Sequence, residues 1–405
     1  MAQGAAYCTI LEGIRTRRDG LAYMTRSALF VTTVPITLEI FLAPFATHFR
    51  QNGWRVDCLT NGATRYPGIH GSFDTLYDIT WSRRIFAIAD HFDTWTRVRR
   101  VVVEGGYDIV HVHTPIAAFV TRMALRSMGQ ADRPKVIYTA HGFHFYEGQP
   151  PLGHLIFRTL EQMAAPWTDY LVTINAEDHD AALGFPGIRT ERVRHIPGIG
   201  VDTDAYSRER VAPEAAARIR TQLDIAEDAF VIAMVAEFSA VKRHEHLFAA
   251  LAQLSNPDVV VVLAGSGERE SHLRRKADEL GVSDRLRWAG FRDDIPALLA
   301  ASNALTLVSA REGLPRSVME AMSMQVPVIG TRTRGITDVV CDTGWIVDKH
   351  DVQALASAID SAASDPLATA SRGITARTRV EQTYAFPDVL ASYQRLYEEA
   401  ASESV

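Results

Sequence analysis

Apolar residues along this chain fall into two kinds of run. Short blocks such as ALFVTTV (28–34), WRVDCLT (54–60), DIVHVHT (108–114), KVIYTAH (135–141), YLVTIN (170–175) and VRHIP (193–197) have the length and β-branched content of buried strands. Longer stretches between them, LEIFLAPFATHFRQN (38–52), AAFVTRMALRSM (117–128) and HLIFRTLEQMAAP (154–166), read as helices. The series then restarts with AFVIAMVAEF (229–238), a helix from about His244, DVVVVLAGSG (258–267), the helix ERESHLRRKADELG (268–281), LRWAG (286–290), ALTLVSA (304–310), a helix around Glu320 and VPVIGT (326–331). Strands alternating with helices predict parallel sheets covered on both faces. Two such series, joined by PGIGVDTDAYSRERVAPEA (197–215), predict an α/β protein of two Rossmann-like, doubly wound domains. A ligand belongs in the cleft between them, at the carboxyl ends of the strands. The expected division is 24–205 and 206–382, followed by a final segment, 383–405, whose FPDVLASYQRLYEEAAS reads as a helix.

Composition narrows this picture more than it adds to it. A chain of 405 residues with 47% hydrophobic content is too long for one comfortable core, which agrees with two domains. A net charge of −6 gives no argument for nucleic acid as a partner. Three scattered cysteines, Cys8, Cys58 and Cys341, make neither a disulfide framework nor a metal cluster, and suit the cytoplasm. The most apolar early run, ALFVTTVPITLEIFLAPF, is broken by Pro35 and Pro44 and carries Glu39, so it does not read as a membrane span. Residues 1–23 lack periodicity and read either as a start-site extension or as a disordered tail.

Candidate chemistry concentrates in REGLPRSVMEAM (311–322). ALTLVSA is an apolar strand, so the Gly-Leu-Pro turn lies at its carboxyl end. Pro315 fits the first turn of the following helix, where its missing N–H does no harm. The amides around Gly313, Leu314, Arg316 and Ser317 then face the cleft as an anion site, strengthened by the helix dipole. Glu312 stands before this turn and Glu320 about 7 Å along the helix. A diphosphate at the helix mouth would separate two hydroxyl-rich groups, and ionised carboxylates accept hydrogen bonds from both. Gly265 and Gly267 in LAGSGERESHL are weaker evidence. They form either a plain strand-to-helix turn or a place where backbone amides approach a diphosphate, and Glu270 occupies the position of a dinucleotide motif's third glycine.

These residues carry a resemblance. EGLPRSVMEAM resembles the Glu-x7-Glu motif of retaining glycosyltransferases of family 4, which have the GT-B fold. YTAHGFHFYEGQPP, DIVHVHTP, HIPGIGVDTDAY and GFRDDIPALLAAS agree with it in order, and the likeness runs from residue 27 onward. The histidine-rich loop and the IPGIGVD linker look most like the bacterial branch that builds capsular and exopolysaccharide units on a lipid carrier. The resemblance implies that Glu312 contacts donor-sugar hydroxyls, Glu320 the ribose and Lys242 the donor diphosphate. It puts Phe291 and Arg292 beside the nucleotide base, His141 beside the donor sugar, and the final helix back on the first domain. Relatives commonly have an arginine five positions before the lysine. Glu237 is there instead, which leaves more of the phosphate charge to Lys242, with Arg243 or Arg316 as helpers. TTVPIT lacks the paired glycines of many relatives.

The implied reaction moves a sugar from a nucleotide diphosphate, UDP by preference in this branch, to a saccharide or lipid-linked saccharide hydroxyl, with no metal or other cofactor. Two alternatives stay open: a nucleotide-sugar epimerase of similar architecture, and a non-catalytic sugar-nucleotide-binding subunit. His111 and His113 alternate on one strand and so share a face. His113, His144 and Tyr146 are expected on the acceptor side. WSRRIFAIADHFDTWTRVRRVV (81–102) is basic and aromatic. It reads as a solvated helix face or as a surface meeting lipid phosphates at the inner face of the membrane. Arg83 and Arg84 are its acceptor-side candidates, because DITWSRR resembles a family segment there.

Overall fold

The computed structural model describes residues 25–81, 88–129, 132–146 and 149–403. Arg83, Arg84 and the segment 1–23 lie outside the described residues. The first lobe is a parallel sheet of seven strands: β1 (Ser27–Val31), β2 (Arg55–Thr60), β3 (Leu76–Asp78), β4 (Ile109–Val112), β5 (Lys135–Ala140), β6 (Tyr170–Thr173) and β7 (Val193–His195). They lie in the order β3-β2-β1-β4-β5-β6-β7. The second lobe has six: β8 (Phe230–Val235), β9 (Val259–Ala264), β10 (Leu286–Gly290), β11 (Ala304–Leu307), β12 (Val328–Thr331) and β13 (Trp345–Val347), in the order β10-β9-β8-β11-β12-β13. Every recorded pairing is parallel, and β1, β4, β6, β11 and β12 are buried throughout. Strands covered on both faces read as unbroken apolar runs, which is why the sequence pattern finds them.

The expected runs overshoot at their carboxyl ends. ALFVTTV pairs only as far as Val31 and ALTLVSA only as far as Leu307. The tails leave the ladder to form the loops that line the cleft. Strands β3 and β13 were not expected. Each has three residues and is only partly buried, too little to print an apolar run.

The first helical region contains a π turn, Leu38–Leu42, between short helical pieces. Pro44 lies just beyond it, and proline has no N–H to give the carbonyl four residues back, that of Ile40. That carbonyl instead accepts a hydrogen bond from Arg316 of the second lobe, at 3.1 Å.

The helix Phe386–Ser402 returns to the first lobe. Val389, Tyr393, Leu396 and Tyr397 join Phe30, Phe45, Phe49 and Tyr170 in one buried cluster. The two crossings between lobes run side by side: Val201 N–H donates to the Tyr384 carbonyl and Phe386 N–H to that of Val201, each at 2.9 Å. Among the described residues no helix is long and apolar enough to cross a membrane.

Candidate active site

In the second sheet the chain order reverses between β8 and β11, the point at which doubly wound sheets bind ligands beyond the carboxyl ends of their strands. The loop after β8 carries Lys242 and the loop after β11 carries Glu312. Their side chains meet, Nζ to Oε1, at 2.6 Å, with only 23% and 10% of their surfaces exposed. A partly buried pair is screened far less than one in open water.

The helix that follows is Arg316–Ser323, and Pro315 is its N-cap, in extended conformation. This corrects the expectation that Pro315 occupies the first helical turn. The hydrogen bonds from the Val318 and Met319 amides reach back to the Pro315 carbonyl, so the helix opens one residue later. The Arg316 and Ser317 amides remain at its mouth without intrahelical acceptors. Glu320 is buried beneath them and accepts from Arg316 Nε at 2.6 Å. Burial raises its pKa, opposed by the Arg316 charge and the neighbouring Tyr206 hydroxyl. Arg316 thus spends its donors on Glu320 and Ile40, while Arg243 turns to His246 and His350. Neither of the two expected helpers is paired with Lys242's partner Glu312.

The glycines have a packing reason. A Cβ on Gly267 would stand 2.6 Å from the Phe238 carbonyl oxygen, and one on Gly265 would collide with Ala236. Their absence lets the loops after β8 and β9 lie against each other. Phe291 is 84% exposed, while Arg292 is held by Asp294 at 2.7 Å.

The first lobe contributes imidazoles. His113 follows β4 and His141 follows β5, and they share a hydrogen bond between Nδ1 and Nε2 at 3.1 Å. His111 lies close to His113, its ring tilted 38° to it, but has a different task. Its ring nitrogens bond the Tyr397 hydroxyl at 2.7 Å and Thr139 Oγ1 at 2.8 Å, which ties the returning helix to the sheet. Burial holds all three well below the ordinary imidazole range, with His141 lowered to about 4, so they are neutral near pH 7. His113 Nε2 is buried without a protein partner. His144 does not join this group: its ring packs on Phe157 at 5.3 Å. Tyr146 lies under the Arg334 guanidinium, 5.7 Å from its carbon.

The two lobes touch at the site itself. Gly142 has φ +115°, and a Cβ there would lie 3.1 Å from the Gly313 Cα. The backbones following His141 and Glu312 therefore pass in direct contact, which puts both residues in one cleft. Sequence reasoning missed Arg334, Asp178 and Asn175, which knit these loops together. The only local mark is an arginine beside a glycine shortly after β12, and no spacing rule connects it to Asp178.

Residues 216–379 match the family model described as glycosyl transferases group 1, and residues 38–205 match that of glycosyltransferase family 4. EpsD of Bacillus subtilis (strain 168), which bears a glycosyltransferase's name, is 34% identical over 345 residues, 83% of this chain and 87% of that protein. The chain is a family 4 glycosyltransferase. This transferase is also 28% identical, over 62% of its length and 65% of the relative's, to the UDP-Gal:alpha-D-GlcNAc-diphosphoundecaprenol alpha-1,3-galactosyltransferase of Escherichia coli. Among solved structures, Anabaena Alr3699/HepE in complex with UDP and glucose resembles the transferase with a TM-score of 0.77 at 22% identity, over 92% of this chain and 100% of that one. The sucrose-phosphate synthase of Thermosynechococcus elongatus gives 0.78 at 19%, over 93% and 100%. The transferase thus has the GT-B fold, and its two lobes are the two halves of that architecture.

Proposed function

We propose that this glycosyltransferase moves a hexosyl or N-acetylhexosaminyl group from a UDP-sugar, with retention at the anomeric carbon, to a hydroxyl of a lipid-linked saccharide during capsular or exopolysaccharide assembly. The observation that carries the reading is the meeting of Lys242 and Glu312 at the switch point of the second sheet, beside the free amides of Arg316 and Ser317. One cation and a helix mouth suit a diphosphate. A carboxylate within 3 Å of that cation suits the hydroxyls of the sugar the diphosphate carries. The E. coli relative, whose name specifies a UDP-sugar and a diphosphoundecaprenol acceptor, supports the choice of donor and acceptor class. Contact with the cytoplasmic face of the membrane follows from that acceptor.

The chemistry assigned to the chain's residues is front-face displacement. The anomeric C–O bond to the diphosphate breaks and the bond to the acceptor oxygen forms on the same face. The acceptor's proton passes to the departing diphosphate oxygen. Lys242 and the helix-mouth amides stabilise the charge that grows on the leaving group. Glu312 and His141 orient the sugar, and Glu320 accepts from the ribose. Neutral His141 can donate or accept one hydrogen bond without bringing a competing charge.

The test is a thermal-shift screen against nucleotide sugars, followed by transfer to polyprenyl-diphosphate-linked saccharides. The anomeric coupling constant of the product is read by NMR. A UDP-sugar should stabilise the protein, and the product should keep the donor's configuration. Conversion of the donor with no acceptor present would replace this reading with epimerisation. An inverted product would remove the front-face mechanism.

A further inference from the structure

The geometry points to Arg334 and Asp178 as a positioning clasp that holds the His141 loop of the first lobe in register with the Glu312 loop of the second. It rests on the transfer reading for its kinetic readout and on contacts alone for its structural one. Arg334 lies in the loop after β12, with 6% of its side chain exposed. Its guanidinium serves acceptors in both lobes. Nε donates to the Glu312 carbonyl at 3.1 Å, Nη1 to Asp178 Oδ1 at 2.6 Å and to the Phe145 carbonyl at 3.1 Å, and Nη2 to the Phe143 carbonyl.

Asp178 is 1% exposed. Its other oxygen accepts from the Phe143 N–H at 3.0 Å and from Asn175 Nδ2 at 2.9 Å. The loop that begins at His141 is therefore gripped at one amide by the carboxylate and at two carbonyls by the guanidinium, and the same guanidinium holds the backbone of Glu312. A buried charge pair gains little stability unless its remaining donors and acceptors are filled. Here those partners are the backbones of the two site loops. The planar fork of arginine reaches these divergent acceptors, which a lysine ammonium cannot match in geometry. Four of the five N–H donors of Arg334 go to protein acceptors, so the clasp acts on the reaction through His141 and Glu312.

The test compares Arg334→Ala, Arg334→Lys and Asp178→Asn in the full chain. Amide hydrogen exchange at Phe143 should accelerate at least tenfold in Arg334→Ala, with and without UDP, and small-angle scattering should report a more open average shape. With the UDP-sugar that the thermal-shift screen selects, kcat should fall at least thirtyfold. The Kd for UDP should stay within threefold, because Lys242 and Glu320 lie on the second lobe. More donor should be lost to water, and Arg334→Lys should fall between the two. Should Arg334→Ala fail to fold, Asp178→Asn, which keeps the side chain's size, carries the comparison with an expected tenfold loss of kcat. Unchanged exchange at Phe143 would overturn the clasp, and so would a kcat within threefold of the parent. A kcat loss matched by an equal weakening of UDP binding would also overturn it. If no UDP-sugar is turned over even by the parent, it is the transfer reading that has failed, and exchange and scattering still decide the clasp.

Discussion

The two faces of the cleft solve the same task with opposite materials. The second lobe presents full charges, Lys242 against Glu312 and Arg316 against Glu320, each pair at 2.6 Å. The first lobe presents His113 and His141, neutralised by burial and bonded to each other. To take the proposed diphosphate, the charged face would have to break its own ion pair, whereas the neutral face is already hydrogen-bonded within itself. On the transfer reading proposed above, the difference teaches where ligand charge would be sensed: a diphosphate would compete with Glu312 for Lys242, and the imidazoles would contribute shape and hydrogen bonding without adding to the electrostatic contest.

The largest expected effect comes from removing the acid. Glu312→Ala should lower turnover by roughly a hundredfold to a thousandfold, the range seen when one preorganised electrostatic contact is lost. Circular dichroism should show the fold intact, and near-normal turnover would end its assignment as the sugar's partner. Lys242→Ala should weaken UDP binding by about tenfold to a hundredfold in calorimetry, equivalent to about 1.5–3 kcal/mol for a charge-assisted contact. A subtler variant sharpens the contrast. Glu312→Gln frees Lys242 of its competing carboxylate, so UDP alone should bind about threefold to tenfold tighter, a coupling of about 1 kcal/mol for a partly exposed pair. The extra affinity contributed by the sugar should disappear at the same time. If Glu312→Gln weakens UDP, the carboxylate is not competing with the diphosphate.

On the neutral face the prediction concerns pH. An imidazole whose pKa falls on folding leaves the folded state at its best above the unfolded value of about 6.5. Below that value the unfolded chain takes up the proton first. Stability therefore declines until the folded site titrates, near 4 for His141, and the buried pair His111 and His113, also held well below the ordinary value by burial, adds to the decline. The slope should approach about 1.4 kcal/mol per pH unit for each such histidine. Melting temperatures measured from pH 7 to 4.5 should fall, and His113→Gln should flatten the curve. The smallest effect is structural: Tyr397→Phe leaves His111 Nδ1 without its hydroxyl partner and should cost about 1–3 kcal/mol in urea unfolding.

The parallel sheets were legible because strands buried on both faces print continuous apolar runs. The edge strands Leu76–Asp78 and Trp345–Val347 were not, because three half-covered residues leave no pattern. The two acids of REGLPRSVMEAM could be read because one turn and one helix place them, so their spacing is local. The partner that each finds divides the cases. Arg316 is four residues from Glu320 and pairs within the same helix, whereas Lys242 is 70 positions from Glu312 and could be matched to it only by resemblance. Arg334 and Asp178 are 156 positions apart and meet only because two lobes are juxtaposed. No local propensity records that meeting. His144 shows the limit of reading a loop. It shares a loop with His141, but a loop has no fixed periodicity, and its ring went to Phe157.

The returning helix Phe386–Ser402 has a consequence for how this molecule is made. The pocket it fills is walled by Phe30, Phe45, Phe49 and Tyr170, all laid down early in synthesis. Until the ribosome has translated the entire second lobe, that aromatic hollow stands open to water, a sticky patch of the sort chaperones recognise. The amino-terminal half must therefore wait, incomplete, for a segment made only after the second lobe.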